Sequence, residues 1–482
     1  MLLERIYDTD LAQAGYLIGA QASGRALVVD ARRDVRAVLD LAARHGLAIT
    51  DVAETHIHAD YLSGTRELAA ATGARIHVSG EGGEEGQYGF DAARLHDGDE
   101  IDLGDVRVRA LHTPGHTPEH LSFLVTDLSV ADEPGYLLSG DFVFAGELGR
   151  PDLLDEIGGG TGTREESARA MFASLRDRFV PLPDWVQVLP GHGAGSACGK
   201  APGAVPQTTV GYERRFAWWA PLLAADDEDA FVDRLLHGQP EPHAYFSRMK
   251  RQNRLGPAVR GHVAPPAPLA PAEAAALLAR GEAVLLDTRG VEAVHERAIP
   301  GALHVPAAAS RSTFAAWVYD PDHEDLPILL LAQDGAQAAE FADNLLRVGI
   351  DEVAGYITAV DGLPAAVPPM VDPAELATAE HVLLLDVRSR GEHEAGRIPG
   401  AVQLHGGRVL WELDRLPREG RILVHCQSGL RAAVVASALR RAGFDVAELA
   451  GSYAGWLAHT ADAEAALTAD GGGSPGPTSD RT

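Results

Sequence analysis

Cysteine is scarce in this chain: Cys198 and Cys426 are the only two among 482 residues. Two thiols cannot build a disulfide framework, so each is either an apolar filler or a chemical group, and a reducing, cytoplasmic location is expected. Long apolar runs are also missing, because segments such as 26–29 and 382–385 are followed at once by aspartate, which excludes an integral membrane protein. The first residues lack the basic and apolar regions of an export signal.

Positive charge is in deficit. The chain has 41 Lys and Arg against 69 Asp and Glu, a formal net charge of −28. Such a surface repels a phosphate backbone, so nucleic-acid binding is disfavoured. Hydrophobic residues make up 46% and charged residues 23%, as in ordinary globular proteins, and the length predicts two to four domains at roughly 100 to 200 residues each.

Apolar segments and helical stretches alternate with Gly- and His-rich loops up to residue 256, which predicts a layered α/β domain over 1–256. The residues 257–270 are rich in Pro and Ala and break the periodicity, as an extended linker would. We therefore place a domain boundary there.

The chain then repeats itself. Leu-Leu-Asp-Thr-Arg at 285–289 and Ile-Pro-Gly-Ala at 299–302 return at 384–388 and 398–401, an offset of 386 − 287 = 99 residues. Apolar strands alternate with helices in both copies, which predicts two homologous parallel α/β domains over 271–367 and 368–465. The Gly-rich end, 466–482, is predicted to be a disordered tail.

Several loops of the first domain carry metal-ligating residue types at predicted strand ends. His56, His58 and Asp60 lie within five residues, His116 follows Thr-Pro-Gly, Asp141 follows Ser-Gly, and His192 follows Pro-Gly. One loop histidine is weak evidence, but the ordered series predicts a metal site.

This series resembles the metallo-β-lactamase fold, an αββα sandwich whose metal ligands lie in loops at one edge. In the dinuclear hydrolases of that superfamily, a histidine that binds the second metal follows the aspartate of the first motif. This sequence has Tyr61 there, which argues against a second metal.

What remains is similar to the persulfide dioxygenases of the superfamily. The resemblance implies one Fe(II) per chain, held by His56, His116 and Asp141, a set that leaves positions open for substrate and O2. It also implies that three further residues hydrogen-bond to the ligands or to bound water: His58, Asp60 and His192.

Two residues of the first domain have open interpretations. Arg150, in a Gly-Arg-Pro-Asp segment similar to one in the dioxygenases, could contact an anionic substrate or product, or pair with Asp152. Cys198 lies in a Gly-rich loop next to Lys200, a partly exposed and electropositive setting that would favour a thiolate, or it could be a buried filler. Resemblance to dioxygenase–rhodanese fusions implies that such a thiol takes part in sulfur handling.

In the last domain an apolar strand leads into a loop that opens a helix, and Cys426 stands at the junction. Backbone N–H groups and the helix dipole would stabilise an anion on its sulfur. The loop resembles the Cys-x-x-Gly-x-Arg active site of rhodanese-type sulfurtransferases, which implies that Cys426 carries sulfane sulfur and that Arg431 binds the anionic donor or acceptor. The loop residues between them are Gln427, Ser428, Gly429 and Leu430.

The earlier copy of this domain differs at both of those positions. An offset of 422 − 328 = 94 residues places Ala332 at the position of Cys426 and Gln337 at that of Arg431. The nucleophile and the cation are both missing, so 271–367 is predicted to be an inactive rhodanese copy that serves as a spacer or docking surface.

Together these features predict a cytoplasmic, bifunctional sulfur-oxidising enzyme. Its first domain would oxygenate the persulfide of a small thiol with O2 and release sulfite, and Cys426 would form or use thiosulfate. The alternatives are a dizinc, glyoxalase II-like thioester hydrolase with a sulfurtransferase, and a non-catalytic sulfur carrier. The sequence does not identify the thiol or the direction of transfer, and superfamily members often form dimers or tetramers, which raises the expectation of a homo-oligomer.

Overall fold

A computed structural model describes residues 1–83, 86–157, 162–200, 203, 205–308 and 310–470. Within these ranges the chain forms three α/β domains, and the predicted fold class is confirmed: a metallo-β-lactamase sandwich is followed by rhodanese domains. Among the helices in these ranges, none has the length and apolar character needed to cross a bilayer.

The first domain is a four-layer sandwich of two sheets and their covering helices. Among its described residues, the first sheet has the strand order β1-β2-β3-β4-β5-β6 and the second has the order β12-β11-β10-β9-β8-β7. The strands are β1 (Leu2–Asp8), β2 (Gln13–Ala20), β3 (Arg25–Val29), β4 (Ala48–Ala53), β5 (Arg75–Ser79), β6 (Ala93–Leu95), β7 (Glu100–Asp102), β8 (Val106–His112), β9 (Leu121–Asp127), β10 (Tyr136–Gly140), β11 (Gln187–Pro190) and β12 (Thr208–Thr209).

The helices of the first domain are α1 (Arg36–Arg44), α2 (Thr65–Thr72), α3 (Leu153–Ile157), α4 (Thr163–Ser174), α5 (Val210–Phe216), α6 (Ala220–Ala224), α7 (Glu228–Leu236) and α8 (Phe246–Leu255), and a π-helical turn, Leu175–Phe179, follows α4. Helices α1 and α2 pack on the first sheet and α4 to α7 on the second, whereas α8 packs in a cluster shared with the later domains. An apolar layer that includes Ile18, Val108 and Phe123 fills the space between the sheets. Separate apolar layers join each sheet to its helices, as the αββα architecture requires.

The second and third domains share one plan. Helix α9 (Pro271–Ala279) precedes the second domain's parallel sheet, which has the order β14-β13-β15-β16, and the third domain's sheet has the order β17-β21-β20-β18-β19. The second domain contains β13 (Val284–Asp287), α10 (Val291–Glu296), β14 (Leu303–His304), α11 (Arg311–Val318), β15 (Ile328–Leu331), α12 (Gly335–Arg347) and β16 (Val353–Ile357). The third contains β17 (Met370–Val371), β18 (Leu383–Asp386), α13 (Arg390–Ala395), β19 (Val402–Gln403), β20 (Ile422–His425), α14 (Leu430–Arg441), β21 (Val446–Leu449) and α15 (Ser452–Asp470).

Helix α15 corrects the predicted start of the tail. The segment expected to be disordered from residue 466 is helical to Asp470, because the Ala-rich sequence continues to favour a helix until Gly471. The rest of the predicted tail, 471–482, lies outside the described residues.

The predicted linker is extended, and it is bound to its neighbours. The carbonyl of Ala258 accepts a hydrogen bond from Arg33, the N–H groups of Arg260 and Gly261 donate to Glu67, and Leu269 pairs with Tyr356 of β16. One apolar cluster also includes residues of all three domains, among them Tyr245, Trp317 and Cys426. The domains are therefore packed against one another.

A buried ion-pair network joins the first two domains. The guanidinium of Arg347, at the end of α12, lies 2.7 Å from Asp8 and 2.7 Å from Asp34, and all three side chains are less than one-seventh exposed. Burial opposes ionisation of Asp34, but Arg32 and Arg347 outweigh it and lower the pKa of that carboxyl. Arg32 also lies 3.5 Å from Asp8 and 3.3 Å from Asp34, so the two carboxylates share two cations.

We expect Arg347→Ala to lower the free energy of unfolding by up to about 3 kcal/mol, because it removes one of the two cations shared by the buried carboxylates of Asp8 and Asp34 and leaves only Arg32. Thermal unfolding and the rate of proteolysis within 257–270 would measure this. The matched control is Arg280→Ala, whose ion pair with Glu282 is exposed. Equal behaviour of the two variants would contradict the assigned role.

Candidate functional site

The metal-ligating residue types meet at one edge of the sandwich. His56 follows β4, His116 lies between β8 and β9, and Asp141 follows β10 directly. Their potential ligand atoms all lie within 4.8 Å of one another, and the three side chains are almost fully buried. The structure thus brings together the three residues predicted as metal ligands.

Hydrogen bonds fix the orientation of the two imidazoles. Nδ1 of His116 donates to the carbonyl of Arg150 at 2.8 Å, and Nδ1 of His56 donates to the hydroxyl of Thr55 at 2.9 Å, which in turn donates to Asp30. Each histidine therefore presents an unprotonated Nε2 towards the site. Burial lowers the pKa of His116 to about 3, so this ring is neutral, the form that binds a metal.

The site fits a cation by its chemistry. Both carboxylate oxygens of Asp141 are buried and have no hydrogen-bond partner among the described residues. Its Oδ2 atom lies 3.5 Å from Nε2 of His116 and 4.0 Å from Nε2 of His56. Burial raises the pKa of this carboxyl to about 6, an electrostatic cost that a bound metal ion would remove. His56, His116 and Asp141 would hold that ion.

A second group of potential ligands adjoins the first. Asp60, His192 and Cys198 have ligand atoms within 4.8 Å of one another, and His192 Nε2 lies 3.5 Å from Asp60 and 3.6 Å from Asp141. Nδ1 of His192 donates to the carbonyl of Ala12 at 3.1 Å, so its Nε2 faces the site. His192 thus lies between Asp60 and the predicted ligand Asp141, and the orienting role of Asp60 and His192 stays a prediction.

His58 points elsewhere. Its Nε2 donates to Asp30 at 3.2 Å and lies 3.0 Å from Glu54, and no hydrogen bond joins it to His56, His116 or Asp141 in the described structure. Burial disfavours the imidazolium, but the two carboxylates outweigh burial and hold the pKa of His58 well above its usual value. The expectation that His58 hydrogen-bonds to a metal ligand is therefore wrong for the described residues. Its ring packs against the ring of His56, with the two ring centroids 4.1 Å apart.

Tyr61 occupies the position where the dinuclear enzymes have a histidine. Its hydroxyl is buried, accepts a hydrogen bond from Gln13 at 3.2 Å and donates to the carbonyl of Asp30 at 3.4 Å. The side chain is thereby fixed by its neighbours within the protein core.

His120 is a site residue that we did not assign from the sequence. Its Nε2 accepts from the backbone N–H of Asp141 at 3.1 Å, and Nδ1 donates to the hydroxyl of Thr113 at 2.9 Å. It therefore holds the backbone that carries the acidic ligand. Its place four residues after His116 was the available signal, but a loop histidine gives no indication of what its ring binds.

Arg150 makes the pair with Asp152 that was one of its two predicted roles. Its guanidinium is fully buried and makes two hydrogen bonds with Asp152, at 2.9 and 2.8 Å, and one with the carbonyl of Ala197 at 3.2 Å. Arg150 is thus paired within the protein, and its carbonyl supports His116.

Of the two interpretations of Cys198, the buried one agrees with the structure, and the partly exposed, electropositive one is wrong in two respects. The side chain is 1% exposed, and burial together with the nearby carboxylates of Asp60 and Asp141 raises the pKa of the thiol well above its usual range. The amine of Lys200 donates to the carbonyl of Arg234, and so is engaged away from the sulfur. The sequence reveals the positive neighbour but not the folded loop that turns the thiol towards the acidic side of the site.

The loop of the rhodanese-like domain that carries Cys426 has the predicted position between β20 and α14. Sγ of Cys426 accepts a hydrogen bond from the backbone N–H of Gly429 at 3.1 Å and lies 3.9 Å from the hydroxyl of Ser452. Gly429 has φ +113°, a backbone conformation that favours glycine and lets the loop turn tightly around the sulfur.

Arg431 is engaged by a carboxylate. It donates to both oxygens of Glu392, at 2.8 and 2.7 Å. Burial opposes the charge on Arg431, but Glu392 and, to a smaller extent, Cys426 outweigh burial and raise the pKa of the guanidinium. Burial opposes the charge on Glu392, but Arg431 and Ser389 outweigh it and lower the pKa of Glu392 to about 2. The cation predicted to bind an anion is thus already paired, a partner that sequence spacing did not reveal.

Comparisons with known proteins agree with this architecture. The family model for the metallo-beta-lactamase superfamily matches residues 8–192, and the model for the rhodanese-like domain matches 270–361 and 373–459. The crystal structure of a metallo-beta-lactamase from Staphylococcus aureus is 36% identical and covers 74% of this chain and 98% of that chain, with a TM-score of 0.63. The chain therefore belongs to the metallo-beta-lactamase superfamily and carries two rhodanese-like domains.

Two curated relatives each match less than half of this chain. A hydroxyacylglutathione hydrolase from Rhodopseudomonas palustris is 32% identical over 136 residues, which are 28% of this chain and 50% of the relative. An uncharacterized protein from Mycobacterium leprae is 29% identical over 226 residues, 42% of this chain and 90% of the relative. The chain thus spans about half the length of that hydrolase.

Gly149 lies against two of the three predicted metal ligands, Asp141 and His116. A Cβ at this position would lie 1.8 Å from the carbonyl oxygen of Asp141 and 3.3 Å from Cβ of His116. We expect Gly149→Ala to displace these two residues and to abolish binding of a metal ion, as measured by metal analysis of purified protein. Gly135→Ala, where a Cβ would meet nothing within 4 Å, is the control. A normal metal content in Gly149→Ala would contradict the described geometry.

The pair of Glu392 and Arg431 predicts a pH dependence. Because the pKa of Glu392 falls from 4.5 to about 2 on folding, its stabilising effect is complete above pH 4.5 and is lost as the pH falls towards 2. Glu392→Gln should therefore be less stable than the unmodified protein at pH 6, and the difference should shrink as the pH approaches 3. Urea unfolding at both pH values measures this. A difference that is the same at both would exclude the ion pair as its source.

Proposed function

We propose that this chain is a bifunctional sulfur-oxidation enzyme. Its first domain oxygenates the persulfide of a low-molecular-weight thiol at one Fe(II), and its third domain transfers sulfane sulfur through Cys426. The oxygenation balances as persulfide plus O2 plus water giving thiol, sulfite and two protons. The observation that carries the proposal is the buried set of two imidazoles and one carboxylate, His56, His116 and Asp141.

Ferrous iron suits this ligand set. Two histidines and one carboxylate leave coordination positions open, and iron bound there would supply the redox chemistry that combines a sulfur substrate with O2. Zinc does not change its oxidation state and would not support that reaction.

The surrounding residues have supporting tasks. Arg150 and Thr55 keep the Nε2 atoms of His116 and His56 unprotonated by accepting from their Nδ1 atoms. His192 lies between Asp60 and Asp141, and both Asp60 and His192 can hydrogen-bond to a substrate there. The near-complete burial of the ligands limits their exposure to water, which protects a reactive persulfide from side reactions.

The third domain is arranged for nucleophilic transfer. The N–H of Gly429 donates to Sγ of Cys426, and the sulfur lies beside the start of the twelve-residue helix α14, so both favour an anion. When thiosulfate is the donor, the Cys426 thiolate attacks its outer sulfur, the S–S bond breaks, and sulfite leaves with the electron pair. The enzyme then holds a cysteine persulfide, and the reverse reaction forms thiosulfate.

The arrangement of the second domain supports its role as an inactive copy. Asp287 pairs with Leu331 in the same register in which Asp386 pairs with His425, so the following residue, Ala332, stands where Cys426 stands in the third domain. Its surfaces pack against the other two domains, as a spacer requires.

A second candidate function is thioester hydrolysis. Curated relatives of part of this chain include a hydroxyacylglutathione hydrolase, and Asp60, His192 and Cys198 offer a second group of ligand atoms beside the first. Two zinc ions at these groups would favour activation of water instead of oxygen chemistry. The position and contacts of Tyr61 argue for the first candidate.

Oxygen uptake separates the two candidates. Protein purified without O2 and supplied with iron should consume O2 when glutathione persulfide is added, with release of sulfite, and should not hydrolyse S-lactoylglutathione. Hydrolysis by zinc-loaded protein and no oxygen uptake by iron-loaded protein would reverse the assignment.

Sulfur transfer is tested independently of the metal. Cys426→Ser should reduce transfer of sulfur from thiosulfate to cyanide to the uncatalysed background, because a hydroxyl cannot form the persulfide. The Ser428→Ala variant, in the same loop, serves as the control for loop integrity. Transfer that persists in Cys426→Ser would assign the sulfur carrier to another group.

A further inference from the structure

A carboxylate of the first domain reaches the sulfur-transfer site of the third. Glu241 lies in a cleft of about 730 Å³ between these domains and is 8% exposed. Its Oε1 accepts hydrogen bonds from the backbone N–H of Arg390 and from Nε2 of Gln403, both at 2.8 Å. Both donors belong to the third domain, so the contact crosses the interface.

One line of contacts leads from Glu241 to the end of the sulfur-transfer loop. Arg390 is the first residue of α13, which begins with a reciprocal pair of hydrogen bonds between Ser389 and Glu392. Glu392 in turn accepts hydrogen bonds from Nη1 and Nη2 of the Arg431 guanidinium. The acceptor from the first domain therefore fixes the start of the short helix that carries the partner of Arg431.

A second line of contacts leads to the beginning of the loop. Nε2 of Gln403 also donates to the carbonyl of Arg388 at 2.9 Å, and the guanidinium of Arg388 donates to Oε1 of Gln427 at 3.3 Å. Gln427 directly follows Cys426. The single carboxylate of Glu241 thus supports both ends of the six-residue loop through different residues.

The segment that carries Glu241 is firmly placed on both sides. The His243 ring stacks on His405 of the third domain at 5.3 Å, and the N–H of Ala244 donates to the carbonyl of Gly407 at 3.0 Å. On the other side, the hydroxyl of Tyr245 donates to the carbonyl of Asp60, beside the metal-ligating set. Five consecutive residues therefore connect the surroundings of the two sites.

We propose that Glu241 is a positioning residue for sulfur transfer: the first domain supplies the acceptor that holds Arg431 and Gln427 in place around Cys426. The inference rests on the proposed sulfurtransferase activity of the third domain. Its consequence is that the affinity of the loop for an anionic sulfur donor depends on the docking of the first domain.

Kinetics of the full, metal-loaded chain test this. In sulfur transfer from thiosulfate to cyanide, Glu241→Ala should raise the KM for thiosulfate about fivefold to tenfold and leave kcat within about a factor of two, because the placement of the anion-binding residues is affected but the nucleophile remains. Glu241→Gln should restore the KM, because its amide oxygen still accepts from Arg390. The matched control is Glu394→Ala, which removes an exposed carboxylate of α13 that lines the same cleft as Glu241.

The partner residue provides a second arm. Gln403→Ala should raise the KM for thiosulfate as Glu241→Ala does. The increase in the double variant should be smaller than the product of the two single increases, because both substitutions remove the same hydrogen bond between Gln403 and Glu241. If Glu241→Ala does not fold, Gln403→Ala carries the test alone. A KM unchanged from the unmodified protein in either folded variant would overturn the proposal, as would an equal increase in Glu394→Ala.

Alkylation of Cys426 gives a readout that does not require turnover. The ratio of its reaction rates with the anion iodoacetate and the neutral iodoacetamide, followed on the Cys426 peptide by mass spectrometry, reports the positive charge beside the sulfur. Glu241→Ala should change this ratio at least about threefold, since it moves Arg431 relative to the thiolate. If the unmodified protein transfers no sulfur but the ratio still depends on Glu241, the proposed activity fails and the positioning role stands. An unchanged ratio overturns the positioning role.

Discussion

The Asp141 carboxylate is buried at the edge where the two sheets of the first domain meet, and neither of its oxygens has a hydrogen-bond partner in the described chain. A carboxylate in that position is costly unless a cation compensates it. The backbone around it is shaped to this purpose: Gly149 and Gly191 approach so closely that a Cβ would collide with Asp141. His56 and His116 are oriented so that their Nε2 atoms can bind the same cation, and His120 holds the backbone of Asp141 in place.

The features of this arrangement that depend on local sequence could be predicted. The motifs around His56, His116 and Asp141 each follow a strand, and strands of a sandwich end at a common edge, so their convergence follows from the fold. The internal repeat identified the two later domains because buried parallel strands require the same apolar segments in each copy. Cys426 was recognisable because a strand, a short loop and a helix follow in succession.

The charged partners could not be predicted, because they come from distant regions of the chain. Lys200 is close to Cys198 in the sequence, yet the folded loop turns this thiol towards Asp60 and Asp141. Glu392 lies 39 residues before Arg431 and still binds Nη1 and Nη2 of its guanidinium. The same applies to the docking of the domains: a Pro-rich segment predicts a connection, but the shared apolar core and the contacts of Glu241 exist only in the folded chain.

The proposed oxygenation in the first domain requires one metal ion held by two histidines and one carboxylate. Anomalous X-ray diffraction at the iron absorption edge, on crystals of the iron-loaded protein, tests this most directly. We predict one iron peak per chain, bonded to His56, His116 and Asp141, with Asp60, His192 and Cys198 free of metal. A second metal peak bonded to Asp60, His192 and Cys198, or a peak bonded to His58 in place of Asp141, would contradict the account.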